Sequence, residues 1–454
     1  MTQITTFNPA TGNSIAEYNM LSDSQIENAL KISNDSYRQW KNVGLPERVK
    51  LVEKLALLLE EKKRDLAHLI TEEMGKPISQ SIAEVSKCAM LCQYYAEHAE
   101  EFLKPELIAS SFAKSYIRYD PLGVILGIMP WNFPFWQVLR YAVPTILAGN
   151  ATVLKHAPNT MGCGLKIQNL MEEAGIPKGV FQSLVIDIPQ VESVIGHPYV
   201  QGVTFTGSDV AGAKVAELSG KYLKKCMLEM GGSDPFVVLK DADVEMAAKI
   251  AVKSRMFNTG QTCISAKRFF VHIDLQEVFI EEFVKEMKAM RIGDPKLGST
   301  DLGCMARKDL ADKVECQMKK AIEMGAKLVS GGERKGNFIS PALLVDVGAE
   351  NIVFKEEVFG PVAAVSTFAD EEEVIEMVNI SDYGLGASIW SRDIERAEKI
   401  AVSIDSGTVA INGMVISDPR LPFGGVKKSG YGRELASHGI REFTNLKTIT
   451  VSEY

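Results

Sequence analysis

The chain contains neither GxGxxG nor GxxxxGK[ST], so the two commonest phosphate-cradling loops are not there to mark a nucleotide site. Its six histidines are scattered, with no HExxH and no triad-like spacing, and no catalytic histidine is assigned. The seven cysteines (Cys88, Cys92, Cys163, Cys226, Cys263, Cys304 and Cys316) are odd in number and include no paired CxxC. Neither a disulfide framework nor a zinc site is indicated, and reduced thiols with no metal requirement are expected. No apolar run approaches membrane-spanning length, and the first residues lack the basic and apolar regions of a secretory signal. A cytoplasmic location is expected. Basic excess is missing too: the formal net charge is −8, which argues against nonspecific binding to nucleic acid or anionic membrane but allows a local basic pocket. There is no fixed-period repeat, low-complexity tract or charge block.

What is present is ample core material. With 454 residues, 46% hydrophobic and 24% charged, the chain suits a globular protein of two or three domains. Ser22, with Gln25 three residues on, reads as a capping box, and Ile26, Ala29, Leu30, Tyr37 and Trp40 then recur at helical spacing. Amphipathic patterns continue over 48–74 and 82–102, where Cys88 and Cys92 share one helical face and are expected to pack in the core. The segment 115–119 switches to strand-like composition. From Val124 apolar strands (124–128, 152–155, 183–186 and 202–205) alternate with helices (161–174 and 210–218), and a second alternation runs from 235 to about 426. Such alternation implies parallel sheets covered on both faces, with ligands at the carboxyl ends of the strands.

Three residues stand out chemically. Cys263 lies in Phe-Asn-Thr-Gly-Gln-Thr-Cys, a polar, Gly-punctuated turn that offers solvent access and backbone N–H groups favouring thiolate. Glu229, in Met-Leu-Glu-Met-Gly-Gly, sits among apolar neighbours where desolvation would suit a general base; the alternative is a strand-end glutamate tied to a turn. Asn132, in Pro-Trp-Asn-Phe-Pro, carries neutral donors suited to a developing oxyanion, although taken alone it reads first as an Asx turn.

Together with Asn-Pro-Ala-Thr-Gly from Asn8, Phe-Thr-Gly-Ser at 205–208, Glu-Glu-Val-Phe-Gly-Pro-Val at 356–362 and Pro-Phe-Gly-Gly-Val-Lys-Lys-Ser-Gly at 422–430, these motifs make the chain resemble the aldehyde dehydrogenase superfamily, in family order and over nearly its whole length. The resemblance implies an α/β fold with two Rossmann-like parallel-sheet domains and a small β oligomerisation element. The cofactor-binding domain is expected over 1–110 and 122–231, the catalytic domain over 232–430, and oligomerisation strands over 111–121 and 444–454, giving a homodimer or homotetramer. It also implies Cys263 as nucleophile, Glu229 as the base for deacylation, and Asn132 with the Cys263 N–H as oxyanion hole.

For the cofactor, NAD or NADP, the resemblance points to Gly207 and Ser208 at the pyrophosphate, Lys155 and Glu357 at the riboses, Phe359 against the nicotinamide and Trp131 nearby. Pro158 stands where many relatives place a ribose-binding glutamate. A 2′-phosphate is therefore not repelled, use of both cofactors is expected, and the preference between NAD and NADP stays open.

At the substrate end the pattern is most similar to the shorter bacterial succinate-semialdehyde dehydrogenases. Arg140, eight residues after Asn132, and Ser417 match that group's carboxylate ligands. Arg140 on its own reads equally as one half of a salt bridge. A second arginine found in some relatives is Phe257 here, with Arg420 a replacement, and the cysteine some relatives carry two positions after the nucleophile is Ser265. The expected partner is a small aldehyde, with succinate semialdehyde the first choice and another small aldehyde the alternative. A cofactor-free cysteine esterase is disfavoured by the lack of a paired histidine.

Overall fold

The computed structural model describes residues 3–453; Met1, Thr2 and Tyr454, at the ends of the expected 1–110 and 444–454 segments, lie outside them. Helices fill the first quarter: Asp23–Trp40, whose Ser22 and Gln25 close the expected capping box, then Leu45–Glu61, Lys63–Met74 and Ile78–Leu103. They are preceded by a hairpin, Gln3–Phe7 with Ser14–Asn19, that the sequence reading did not anticipate. Cys88 and Cys92 are fully buried, as their shared face implied.

The first strand–helix alternation builds a six-stranded sheet in the order Gly430–Tyr431, Lys225–Met230, Val200–Gly207, Val124–Met129, Ala151–His156 and Phe181–Ser183. All but the first run parallel. Strand order reverses beside Val124–Met129, because the chain builds outward on one side through Phe181–Ser183 and then returns on the other at Val200. In an open parallel sheet such a switch leaves a ligand crevice off the carboxyl ends of the strands. The third of these strands was expected over 183–186 but ends at Ser183, where Ile186 N–H turns back to the Leu184 carbonyl.

The second alternation forms a seven-stranded sheet from Lys327–Ser330 through Ala342–Val345, Val362–Phe368, Ala266–His272, Asp234–Val238 and Gly386–Trp390 to Thr408–Ile411, parallel except at its first strand. The chain then re-enters the first sheet. Gly430 pairs with Glu229 and Tyr431 with Leu228, antiparallel, which fixes the end of the Glu229 strand from the far end of the sequence. A third, three-stranded sheet joins Lys114–Pro121 to Thr444–Val451, with Tyr116 opposite Ile449, and to Glu106–Leu107. The fold is thus the expected α/β architecture.

A buried ion pair seats the helix that carries Arg140. Lys76 and Glu84 bond to each other at almost zero exposure. The second Glu84 oxygen accepts the N–H groups of Phe135 (2.9 Å) and Trp136 (3.0 Å) at the start of Trp136–Leu147. A carboxylate at a helix N-terminus satisfies orphan donors and opposes the helix dipole favourably. All twelve residues of that helix are buried.

Candidate active site

Cys263 follows a turn held in an uncommon backbone shape. Asn258 and Thr259 have φ of 53° and 55°, and Gly260 follows at 71°, packed so closely against the Gly360 carbonyl that no Cβ would fit. Two consecutive non-glycine residues in the left-handed region cost roughly 1 kcal/mol or more each, so other contacts must hold them. Asn258 supplies several. Its backbone N–H donates to Gln80 Oε1 (2.8 Å), and its Nδ2 donates to the carbonyls of Asn132 (2.9 Å) and Gln261 (3.1 Å). Asn132 Nδ2 in turn donates to the Gln261 carbonyl at 3.2 Å. That bond uses one of the two amide hydrogens. The Asn132 amide and the Cys263 loop are therefore laced together.

Glu229 is buried at the end of its strand. Its Oε2 accepts from Arg140 Nη2 at 2.7 Å, while Oε1 is buried with no protein partner. The same Nη2 lies 2.6 Å from Glu434 Oε2 without hydrogen-bond alignment, so that contact is one of charge. Burial pushes the Glu434 carboxyl up to about 7 even with Arg140 against it, and Glu229 adds to the rise. Arg140 was expected to be available to a substrate carboxylate; it does line the second cavity, but two protein carboxylates share its Nη2, the internal compensation that a buried guanidinium needs.

The thiol also departs from expectation. A turn exposing Cys263 was expected to favour thiolate. In the fold the residue is only partly exposed, and burial, followed by the nearby Glu229 charge, drives its pKa well above the ordinary thiol range, against the opposing pull of Arg140 and Lys267. The resting group is the thiol, with a carboxylate beside it. Lys267, which the sequence reading passed over, backs the loop: Nζ donates to the carbonyls of Thr262 (3.1 Å) and Cys263 (2.7 Å) and lies 3.3 Å from Glu357 Oε1. Arg255 adds a second tie, from the Val358 and Val362 carbonyls to Ser265 Oγ.

Cys263 stands where two cavities of about 190 Å³ each meet. One opens at the sheet crevice and brings together Trp131, Asn132, Gly207, Ser208, Glu229, Glu357 and Phe359. Gln317 and Lys313, unforeseen, also line it. Ser208 caps the helix Asp209–Lys221 by accepting from Ala211 N–H at 3.3 Å, and Trp131 meets Phe359 edge to face, 5.7 Å between centroids. Thr206 Oγ1, Glu229 Oε1 and Gln317 Oε1 on this wall are buried without partners. A helix N-terminus, a glycine approach, aromatic faces and orphaned polar atoms fit a dinucleotide. Lys155, buried, and Pro158, exposed, lie off this cavity at the end of the neighbouring strand Ala151–His156, on the same carboxyl edge.

The other cavity is lined by Phe133, Trp136, Gln137, Arg140, Phe257, Ser417 and Phe423, with Lys87 a cation the sequence reading missed. Gln137 faces both cavities. Ser417 is in place, but Arg420 is not: its guanidinium is 74% exposed and taken by Asp418 at 2.6 Å, outside this lining.

Comparison with known proteins agrees with this architecture. The model of the aldehyde dehydrogenase family matches residues 1–449, and the chain belongs to that family. It is 45% identical to the succinate semialdehyde dehydrogenase [NAD(P)+] Sad of Escherichia coli, covering 99% of this chain and 98% of the relative. It is 43% identical to a probable NADP(+) succinate-semialdehyde dehydrogenase of Synechocystis, covering 99% and 100%. A succinic semialdehyde dehydrogenase from Streptococcus pyogenes, solved in complex with NADP+, superposes with a TM-score of 0.97 at 36% identity, covering 99% and 100%.

Proposed function

We propose that this protein oxidises succinate semialdehyde to succinate with NAD or NADP, through a thioester on Cys263. The observation that carries the reading is the position of Cys263 at the meeting of the cavity lined by Gly207, Ser208 and Phe359 and the cavity lined by Lys87, Arg140 and Ser417. The Cys263 thiol gives up its proton to solvent, and the sulfur adds to the aldehyde carbonyl. Asn132 Nδ2 and the Cys263 backbone N–H receive the oxyanion. Gly207, Ser208, Glu357 and Phe359, with Lys155 and Pro158 on the neighbouring strand end, would hold a nicotinamide dinucleotide, which would supply the hydride acceptor. Glu229 then draws a proton from water, which attacks the thioester, and Cys263 leaves as the acid forms. Lys267 keeps the Cys263 carbonyl fixed throughout.

The test is a panel of succinate semialdehyde, glutarate semialdehyde and butanal, assayed by absorbance of the reduced cofactor with each dinucleotide. Succinate semialdehyde is expected to give the highest kcat/KM; preference for the uncharged aldehyde would remove the named substrate and leave the family intact.

Pro158 tests the cofactor arrangement. As the exposed first residue of a short helical turn it accepts glutamate without strain. Pro158→Glu is expected to lower the NADP-to-NAD ratio of kcat/KM by about tenfold or more through repulsion of the 2′-phosphate. An unchanged ratio would mean that the adenosine ribose lies elsewhere.

The chain is also read as a homo-oligomer, because the strand Thr444–Val451 forms one edge of its sheet with Leu446 on it 60% exposed, and Leu107 on the opposite edge strand is 76% exposed. Sedimentation of the full chain as a stable monomer would remove that reading.

A further inference from the structure

Two cations and no carboxylate line the cavity on the Arg140 side. Arg140 is matched by Glu229 and Glu434. Lys87 pairs with no carboxylate among the described residues. Its ammonium lies 3.9 Å above the Trp136 ring and donates to Ser417 Oγ at 2.7 Å. A half-buried ammonium with an aromatic face and one hydroxyl for company is short of an anion. Among the described residues the lining around it is otherwise apolar or neutral, with Glu84 and Asp418 lying behind that lining.

The geometry points to Lys87 Nζ and Ser417 Oγ as the subsite for the far carboxylate of an aldehyde whose carbonyl lies at Cys263, with Arg140 positioning Glu229 rather than holding substrate. Trp136 fixes the lysine stem from the helix that also presents Gln137 and Arg140, so the ammonium and the reacting end are set by one rigid element. The inference rests on the reading of the substrate as an acid-ended aldehyde.

Several groups face Lys87. Burial, and then the Arg140 charge across the cavity, bring its pKa down to about 8, while Cys88 and Glu84 on its own helix and Asp418 on the Ser417 segment act in the opposite direction. Lysine binds an anion only while protonated. KM for an acid-ended aldehyde should therefore rise as pH passes about 8, with no matching rise for an uncharged one.

The experiment compares succinate semialdehyde with butanal in the full-length wild-type enzyme, Lys87→Met and Lys87→Arg, each over a pH series. Lys87→Met is expected to lower the ratio of the two kcat/KM values by about 10- to 150-fold, chiefly through KM, the range for losing a charge-assisted contact. Lys87→Arg should restore most of the ratio and carry the KM rise to higher pH. Equal losses for both aldehydes, an unchanged ratio in Lys87→Met, or a wild-type KM that ignores pH near 8 would each overturn the assignment. A wild-type enzyme with no preference for succinate semialdehyde would remove the substrate reading as well, whereas a preference that survives Lys87→Met would remove the subsite alone.

Discussion

Cys263→Ala is expected to lower turnover by about a thousandfold or more and to eliminate any burst of reduced cofactor, because no covalent intermediate can form without the sulfur. The substitution removes a single atom from a partly exposed position, and the loop remains pinned by Asn258 and Lys267, so the fold should be unaffected. Stopped-flow absorbance at enzyme concentrations comparable to cofactor reads both quantities. Steady-state turnover near the wild-type level would end the thioester mechanism. The environment adds a second signature in the intact enzyme. With the thiol pushed up by burial and by Glu229, alkylation of Cys263 by iodoacetamide should be slow at neutral pH and keep rising beyond the pH at which an ordinary thiol has levelled off.

Much of this site was legible because its chemistry lies in short local motifs. The Cys263 turn, the Glu229-Met-Gly-Gly strand end and Asn132 between Trp131 and Phe133 are each readable from a few consecutive residues, and the alternation of apolar strands with helices gave the sheet order its raw material. The parts that were missed come from long-range compensation. That Arg140 would be shared by Glu229 and Glu434 depends on a segment almost three hundred positions away returning to the first sheet at Gly430. Periodicity gives no sign of that return. The hairpin Gln3–Phe7 with Ser14–Asn19 was missed because its second strand is largely exposed and lacks the apolar alternation that marks a half-buried strand.

Lys87 did leave a trace. On the helix Ile78–Leu103 it is three residues after Glu84 and next to Cys88, at the edge of a stripe where Ser81, Glu84, Val85, Cys88 and Cys92 are buried. A lysine at the edge of such a stripe, close to a second charge, marks an electrostatic arrangement rather than a plainly solvated face. What the sequence alone does not reveal is which cavity it enters, since Ser417 and Trp136 reach it from two other elements.

Glu229→Gln tests whether this residue serves the water-activating step alone. Glutamine keeps an oxygen for Arg140 Nη2, so the helix Trp136–Leu147 and the adjoining strand should hold their places. Loss of a positioned general base lowers rates by about 10²- to 10⁴-fold, and if the slow step is hydrolysis of the thioester that whole loss falls after reduced cofactor has been released to view. The expected trace is a burst approaching one equivalent per active site, then a nearly flat steady state. The nucleophile should meanwhile become more reactive to alkylation. A carboxylate next to a thiol opposes its ionisation, and removing that charge leaves Arg140 and Lys267 acting on the sulfur with less opposition, which lowers the Cys263 pKa and raises the thiolate fraction at neutral pH. Faster iodoacetamide labelling together with a preserved burst and lost turnover would place Glu229 at the water-activating step. A burst that disappears along with turnover, while labelling still accelerates, would instead mean that the first addition also needs the carboxylate, and would move the larger share of its work to Cys263 itself.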